Sequence, residues 1–259
     1  MTTAPLDVSP RPGSAPVSAM LRAQAGMELR LMLRNGEQVL LTLVIPLLLL
    51  VMGTKADQVV DLGPGRTIDI IAPGVLALAV LSTSFTSLAI STGFDRRYGV
   101  LKRLGASPLP RSVLLLGKVG AVAAVEAIQL AVLVPTALAL GWEPGGGAEA
   151  WLWALALVVA GTAAFGSLGL LIAGTLRAEA TLAVANLVYV LLLVGGGLMV
   201  PLSRYPEGAR QVMELVPSGA LGEGLREAFA GGSGLAPLAV LVVWSLVAGL
   251  ATVRSFKWE

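Results

Sequence analysis

The chain contains no cysteine and no histidine. The first absence excludes disulfides, thiol nucleophiles and thiolate metal sites. The second excludes imidazole-ligated haem, intramembrane zinc-protease chemistry and histidine proton relays. Charge is scarce too: Asp, Glu, Lys and Arg make up 13% of the 259 residues, about half the share usual in soluble domains. That leaves too little polar surface to cover a soluble fold of this size. In its place 56% of residues are hydrophobic, gathered in long blocks. Soluble, disordered, fibrous and disulfide-stapled classes are thereby excluded, and an all-α membrane protein is expected.

A membrane-spanning helix needs about 20 predominantly apolar residues. Six stretches qualify: 39–52, which is short and borrows Gln38 and Gly53, then 70–94, 112–140, 151–175, 182–200 and 236–253. Breakers separate them, at Gly63-Pro64-Gly65, Pro108, Pro110, Gly145-Gly146-Gly147 and Gly231-Gly232. Basic residues cluster in alternate segments. Arg11, Arg22, Arg30 and Arg34 precede span one; Arg96, Arg97, Lys102, Arg103 and Arg111 follow span two; Arg177, Arg254 and Lys257 complete the set. The intervening loops hold only Lys55, Arg66, Arg204, Arg210 and Arg226. The positive-inside rule then puts both termini in the cytoplasm of a multi-pass protein of the cytoplasmic membrane.

Residues 1–17 are rich in Pro, Ser, Thr and Ala and are expected to be a disordered cytoplasmic tail, with no signal-peptide core. Residues 18–36 read as an interfacial helix, with Leu21, Ala25, Leu29 and Met32 on one face and Arg30 and Arg34 on the other; a solvated juxtamembrane helix is the alternative. The six-span domain then occupies 37–259. Within it, 202–235 reads as an external segment of two short helices divided by Pro217, with Val212, Leu215, Leu221, Leu225 and Phe229 as their apolar faces.

The densest charge lies between spans two and three, in a loop at 95–111. Asp95, Arg96 and Arg97 open it, Gly99 follows, and Leu101, Lys102, Arg103 and Leu104 form a short basic helix ended by Ser107 and Pro108. Such a helix, basic outside with an apolar stripe of Val100, Leu101 and Leu104, suits a groove on a partner protein; an ordinary positive-inside loop is the plainer reading. The run resembles the intracellular loop of type-2 ATP-binding-cassette (ABC) exporter permeases. Arg111 and Gly117-Lys118 match what usually follows it, and the whole layout is similar to the daunorubicin-resistance group of drug-export permeases. The likeness extends to the N-terminal connecting helix, the helices between spans five and six, and the aromatic-basic end at Phe256, Lys257 and Trp258. One departure is the acidic start, reduced here to Asp95.

The resemblance implies a coupling helix seated on a separate cytoplasmic ABC ATPase. It also implies a second permease copy, or a related permease, completing the pathway within the bilayer. ATP and Mg would then belong to the partner, and no cofactor to this chain. The sequence agrees with that division. The phosphate-loop pattern G-x-x-x-x-G-K-[ST] is absent: Gly117-Lys118 is followed by Val119, which lacks the hydroxyl for magnesium. No enzymatic role and no nucleic-acid partner are expected. The family's substrates run from drugs to lipids and polysaccharides, and an amphiphilic drug or lipid is preferred here because aromatic rings suited to sugars are sparse. A secondary transporter is the rival, which would need a midplane ion site and usually internal repeats.

Polar residues inside the spans supply the path candidates. Thr83, Ser87 and Ser91 repeat every fourth residue and form one stripe, either lining a path or bonding to the preceding turn. Asn186 and Tyr189 join them from span five. Lys118, about 9 Å into span three, can snorkel to the inner interface; Glu126, about 12 Å further, cannot. A carboxylate at that depth either recognises a cationic substrate or is a protonated hydrogen-bond bridge between helices. Gly169 and Ala173 form a small-residue pair, Gly195-Gly196-Gly197 forms a hinge or an early helix end, and Pro46 and Pro135 are expected to kink their helices.

Overall fold

The apolar runs bounded by glycine and proline are helical throughout the computed structural model, which describes residues 14–55 and 65–255 and has no strand among them. Residues 1–13 of the tail expected at 1–17, the Gly63-Pro64 break and the residues Phe256 to Glu259 lie outside those described. Asn35 alone separates α1 (Val17–Arg34) from α2 (Gly36–Gly53). Next, α3 (Thr67–Leu81) and α4 (Leu88–Arg97) are joined through a π turn at Ser82–Ser87 into one helix of 31 residues. The short α5 (Val100–Gly105) leads to α6 (Arg111–Ala139), α7 (Gly147–Thr175) and α8 (Ala178–Gly195). Two helices, α9 (Glu207–Met213) and α10 (Pro217–Phe229), precede the last, α11 (Leu235–Ser255).

Five helices among the described residues are long and apolar enough to cross a membrane: Thr67–Arg97, α6, α7, α8 and α11. Six were expected. The expected first span at 39–52 is not among them: the described apolar part of α2 is Thr42–Gly53, shorter than a crossing of roughly 30 Å of hydrocarbon requires. The fifth ends at Gly195 rather than at 200, because Gly197 turns the chain at φ 61°, a left-handed conformation that glycine adopts without strain. The triple glycine is therefore a helix end. Pro46 and Pro135 both sit inside continuous helices.

Burial ranks the helices. In Thr67–Arg97, 83% of the apolar window is buried, against 17% in α8 and in α11. The composite helix is thus the hub, packed against α2, α6, α7, α8 and α10, while α8 and α11 keep apolar faces outward. Gly169 makes the closest approach to the hub possible: a Cβ there would stand 2.7 Å from the Phe85 carbonyl oxygen. Gly169, one of the small-residue pair in α7, is thus the seat of the π turn.

The amphipathic α10 runs along the first half of α7, with Leu221 against Gly161 and Gly224 between Leu157 and Pro237. Its end is held by a hydrogen bond from the Gly145 amide to the Phe229 carbonyl at 2.8 Å. The Phe229 ring meets Trp142 and Trp151 edge-on at 4.8 and 5.0 Å, a preferred aromatic geometry. Trp244 in α11 donates its indole N–H to the Leu215 carbonyl at 2.8 Å.

Candidate functional site

A cavity of about 470 Å³ opens on the side of the helix bundle. Thr42, Ile45 and Pro46 of α2 form one wall, and Asn186 and Tyr189 of α8 the other. The back is the composite helix, through Leu78, Ser82, Thr86, Ser87 and Ile90, and Asn35 lies at the rim. The surface it presents is mostly apolar, although seven of its eleven lining residues carry a polar group, a mixture that suits small-molecule sites. The Ser82 and Tyr189 hydroxyls meet at 3.0 Å and join two of its walls. The Thr86 hydroxyl oxygen has no hydrogen-bond partner among the described residues.

Three of the expected path residues, Ser87, Asn186 and Tyr189, line this cavity. The other three do not. Thr83 is fully buried and donates to Gln129 Oε1 at 2.9 Å, Ser91 donates to the Leu88 carbonyl, and Glu126 is buried behind the wall. The line that faces the cavity lies one residue earlier than the expected stripe, at Leu78, Ser82, Thr86 and Ile90. Ser82 and Thr86, visible in the sequence as further hydroxyls, take half-buried places on it.

Behind the wall lies a polar layer. Thr162 of α7 donates to Glu126 Oε2 at 2.6 Å, and Gln129 donates its amide to the Thr42 carbonyl of α2. Glu126 and Gln129, one turn apart on α6, thus tie that helix to α7 in one direction and to the hub and α2 in the other.

At the end of the bundle that carries the basic segments, Lys118 is buried, with 1% of its side chain exposed. It does not snorkel. Its Nζ lies 2.8 Å from Glu28 of α1 and 2.6 Å from Asp95 of α4, and Gln24 donates to the same Glu28 carboxylate at 2.9 Å. Residues 90 and 23 positions away thereby satisfy a cation that looked alone in span three. Gly117 admits this contact, because Gln24 and the backbone of Ala25 press against it.

The loop 95–111 is fastened at its root. Arg96 donates to the Ala173 and Leu176 carbonyls at 2.8 and 2.7 Å, an arrangement that places a cation at the negative end of the α7 dipole. Arg97 stands 3.9 Å from Glu179. Gly99 starts α5 at φ 68°. Leu101 is buried against Leu114 of α6, and Leu104 packs beside it. The apolar stripe therefore faces the chain's own α6, and the outward surface is Lys102, Arg103, Ser107 and Pro108.

On the opposite end, Arg226 of α10 knots three elements. It donates to the carbonyls of Ile70 (3.2 Å), Gly197 (2.9 Å) and Leu198 (2.7 Å) and pairs with Glu223 at 2.9 Å. Burial pulls its guanidinium below the ordinary value, and Glu223 opposes that shift. Glu223 also accepts the Leu202 amide at 2.7 Å.

A family model described as ABC-2 type transporter matches residues 20–230. This range takes in α1, the cavity, the loop 95–111 and the Arg226 knot. No curated protein matches the chain.

Proposed function

Because the chain belongs to the ABC-2 type transporter family, as the membrane permease component of such a transporter, we propose that it exports an amphiphilic drug or lipid-like substrate. A separate cytoplasmic ABC ATPase would drive that export. The cavity between α2, the composite helix and α8 carries this reading. Its apolar walls suit a hydrocarbon body; Asn186 and Tyr189 offer hydrogen bonds to a polar end. Its open side and the bare apolar face of α8 (Leu187, Val190, Leu191 and Val194 are all more than half exposed) suit a second permease copy, which would close the path. The rigid attachment of Asp95, Arg96 and Leu101 supports a lever: force applied to Lys102 and Arg103 by an ATPase passes into α4, α6 and α7 without slack. The α9–α10 hairpin would re-enter the outer leaflet, since Leu221 meets α7 about 21 Å along its length at 1.5 Å per residue.

Inside-out vesicles carrying the permease and its ATPase test this with two lipophilic fluorescent dyes, one cationic and one neutral. ATP is expected to drive dye accumulation, and Asn186→Ala with Tyr189→Ala is expected to lower it about 5–30-fold, the equivalent of one or two lost hydrogen bonds. Uptake that ignores vanadate and follows an ion gradient would point to a secondary transporter and overturn the reading.

Glu126 is read as the bridge between α6 and α7 and not as a contact for cationic substrates. Glu126→Gln keeps an acceptor for Thr162 and is expected to leave the ratio of cationic to neutral dye transport unchanged in the same vesicles. A selective loss of the cationic dye would assign the carboxylate to recognition instead.

A further inference from the structure

We propose that the outward face of α1 binds the phosphate headgroups of anionic phospholipids at the inner membrane surface. The apolar stripe of α1 is not available to lipid. Gln24 and Glu28 are turned into the bundle at Lys118, and Met32 packs on the Leu88, Val122 and Leu170 cluster. What remains outside is a basic face. Arg22, Gly26, Arg30 and Arg34 recur every fourth residue, an arc of about 120° at 100° per residue, with Met27 and Leu31 exposed beside them.

Three observations fit this face to a phosphate. A shallow trough of about 440 Å³ runs between the three arginines, and Gly26 opens its floor, since a Cβ there would touch nothing. The only acid on α1, Glu28, is committed to Lys118. Among the described residues no carboxylate lies within ion-pair distance of Arg22, Arg30 or Arg34, and Arg22 bonds only to the Ser18 carbonyl of its own helix. Guanidinium forks left without carboxylates match phosphate oxygens in pairs.

The depth fits as well, in the orientation that turns the arginine- and lysine-rich segments to the cytoplasm. Glu28 lies level with Lys118, where charged groups of three helices converge, and the apolar run of α2 begins at Val39, about 8 Å along the chain from Arg34. That is the headgroup layer. Met27 and Leu31 then lie against the first acyl carbons while the arginines hold the phosphates.

The test needs the permease alone, so its failure is separable from that of the transport reading. The purified chain is reconstituted in nanodiscs of phosphatidylcholine and phosphatidylglycerol, released, and its retained lipids are counted by native mass spectrometry. The unmodified chain is expected to retain phosphatidylglycerol in excess of its share of the disc. Arg22→Gln, Arg30→Gln and Arg34→Gln are expected to remove that excess together, each by up to about fivefold. Lys102→Gln with Arg103→Gln, on another surface, should leave it intact. All five positions are exposed, so the thermal unfolding of the variants should match that of the unmodified chain. Undiminished enrichment in the triple variant would overturn the proposal. So would an unmodified chain that shows no preference for phosphatidylglycerol.

Discussion

Lys118→Met is expected to destabilise the folded chain by about 3–5 kcal/mol, because it strands two carboxylates that have no other cation among the described residues. The side chain of Glu28 is only 11% exposed and that of Asp95 26%. The partial access of Asp95 to water places the loss toward the lower end of that range. For a chain of this length, about 3 kcal/mol lowers an apparent Tm by roughly 6–12 °C, readable from tryptophan fluorescence in detergent. A burial effect and a charge effect separate in the triple change Glu28→Gln, Lys118→Met and Asp95→Asn. Replacing a buried ion set by neutral groups of similar volume is often close to neutral, so the Tm should return most of the way. Transport should not return with it, because the link that makes α1, α4 and α6 move together has been dissolved. A single Lys118→Met variant with unchanged Tm would show that the three charges are solvated separately.

Arg226→Met is expected to act at the other end and by a similar amount. Three backbone carbonyls and the Glu223 carboxylate lose their donor, and each buried group left unsatisfied costs about 1–3 kcal/mol. Arg226→Lys should recover only part of the loss, since one ammonium cannot reach Ile70, Gly197 and Leu198 at once. The absence of cysteine makes the readout clean. Ser218 is fully buried beside Gly196, so Ser218→Cys should resist a membrane-impermeant maleimide in an otherwise unchanged chain. Added to Arg226→Met it should react rapidly, as α10 loosens from the ends of α3 and α8. Equal labelling rates in the two backgrounds would mean that the knot does not hold α10 in place.

Most of the architecture was legible from hydropathy, because a long apolar run in a bilayer has few options besides a helix. The first span is the one not recovered, since α2 (Gly36–Gly53) opens with Gly36, Glu37 and Gln38 and its apolar run at 39–53 is shorter than the 20 or so residues a crossing needs. The end of α8 was written in Gly195-Gly196-Gly197, but only the φ of Gly197 distinguished an end from a hinge. Lys118 was misjudged for a different reason. A periodic pattern records which face of its own helix a residue occupies and nothing of what another helix brings to it, and Glu28 and Asp95 arrive through tertiary packing. The stripe of Thr83, Ser87 and Ser91 differs in a third way: the period of four is right but the line that meets the cavity starts one residue earlier, and which face of a helix borders a cavity is decided by its neighbours. The loop at 95–111 was found by its charge, yet its apolar residues turned inward, because Leu114 of α6 lies within reach and buries them.

The π turn also sets the phase of the whole composite helix. Twelve residues separate Leu78 from Ile90, and in an unbroken α-helix they would point about 120° apart. The widened turn at Ser82–Ser87 absorbs one residue's worth of rotation, about 100°, and brings the two back to within about 20° of each other. A helix that would otherwise wind its wall around the bundle thus presents a straight seam from Leu78 through Ser82 to Ile90. Were the turn to relax to regular α geometry, the seam would shear at its middle, and the Asp95 end of the helix would swing by about 100° relative to the Ile70 end.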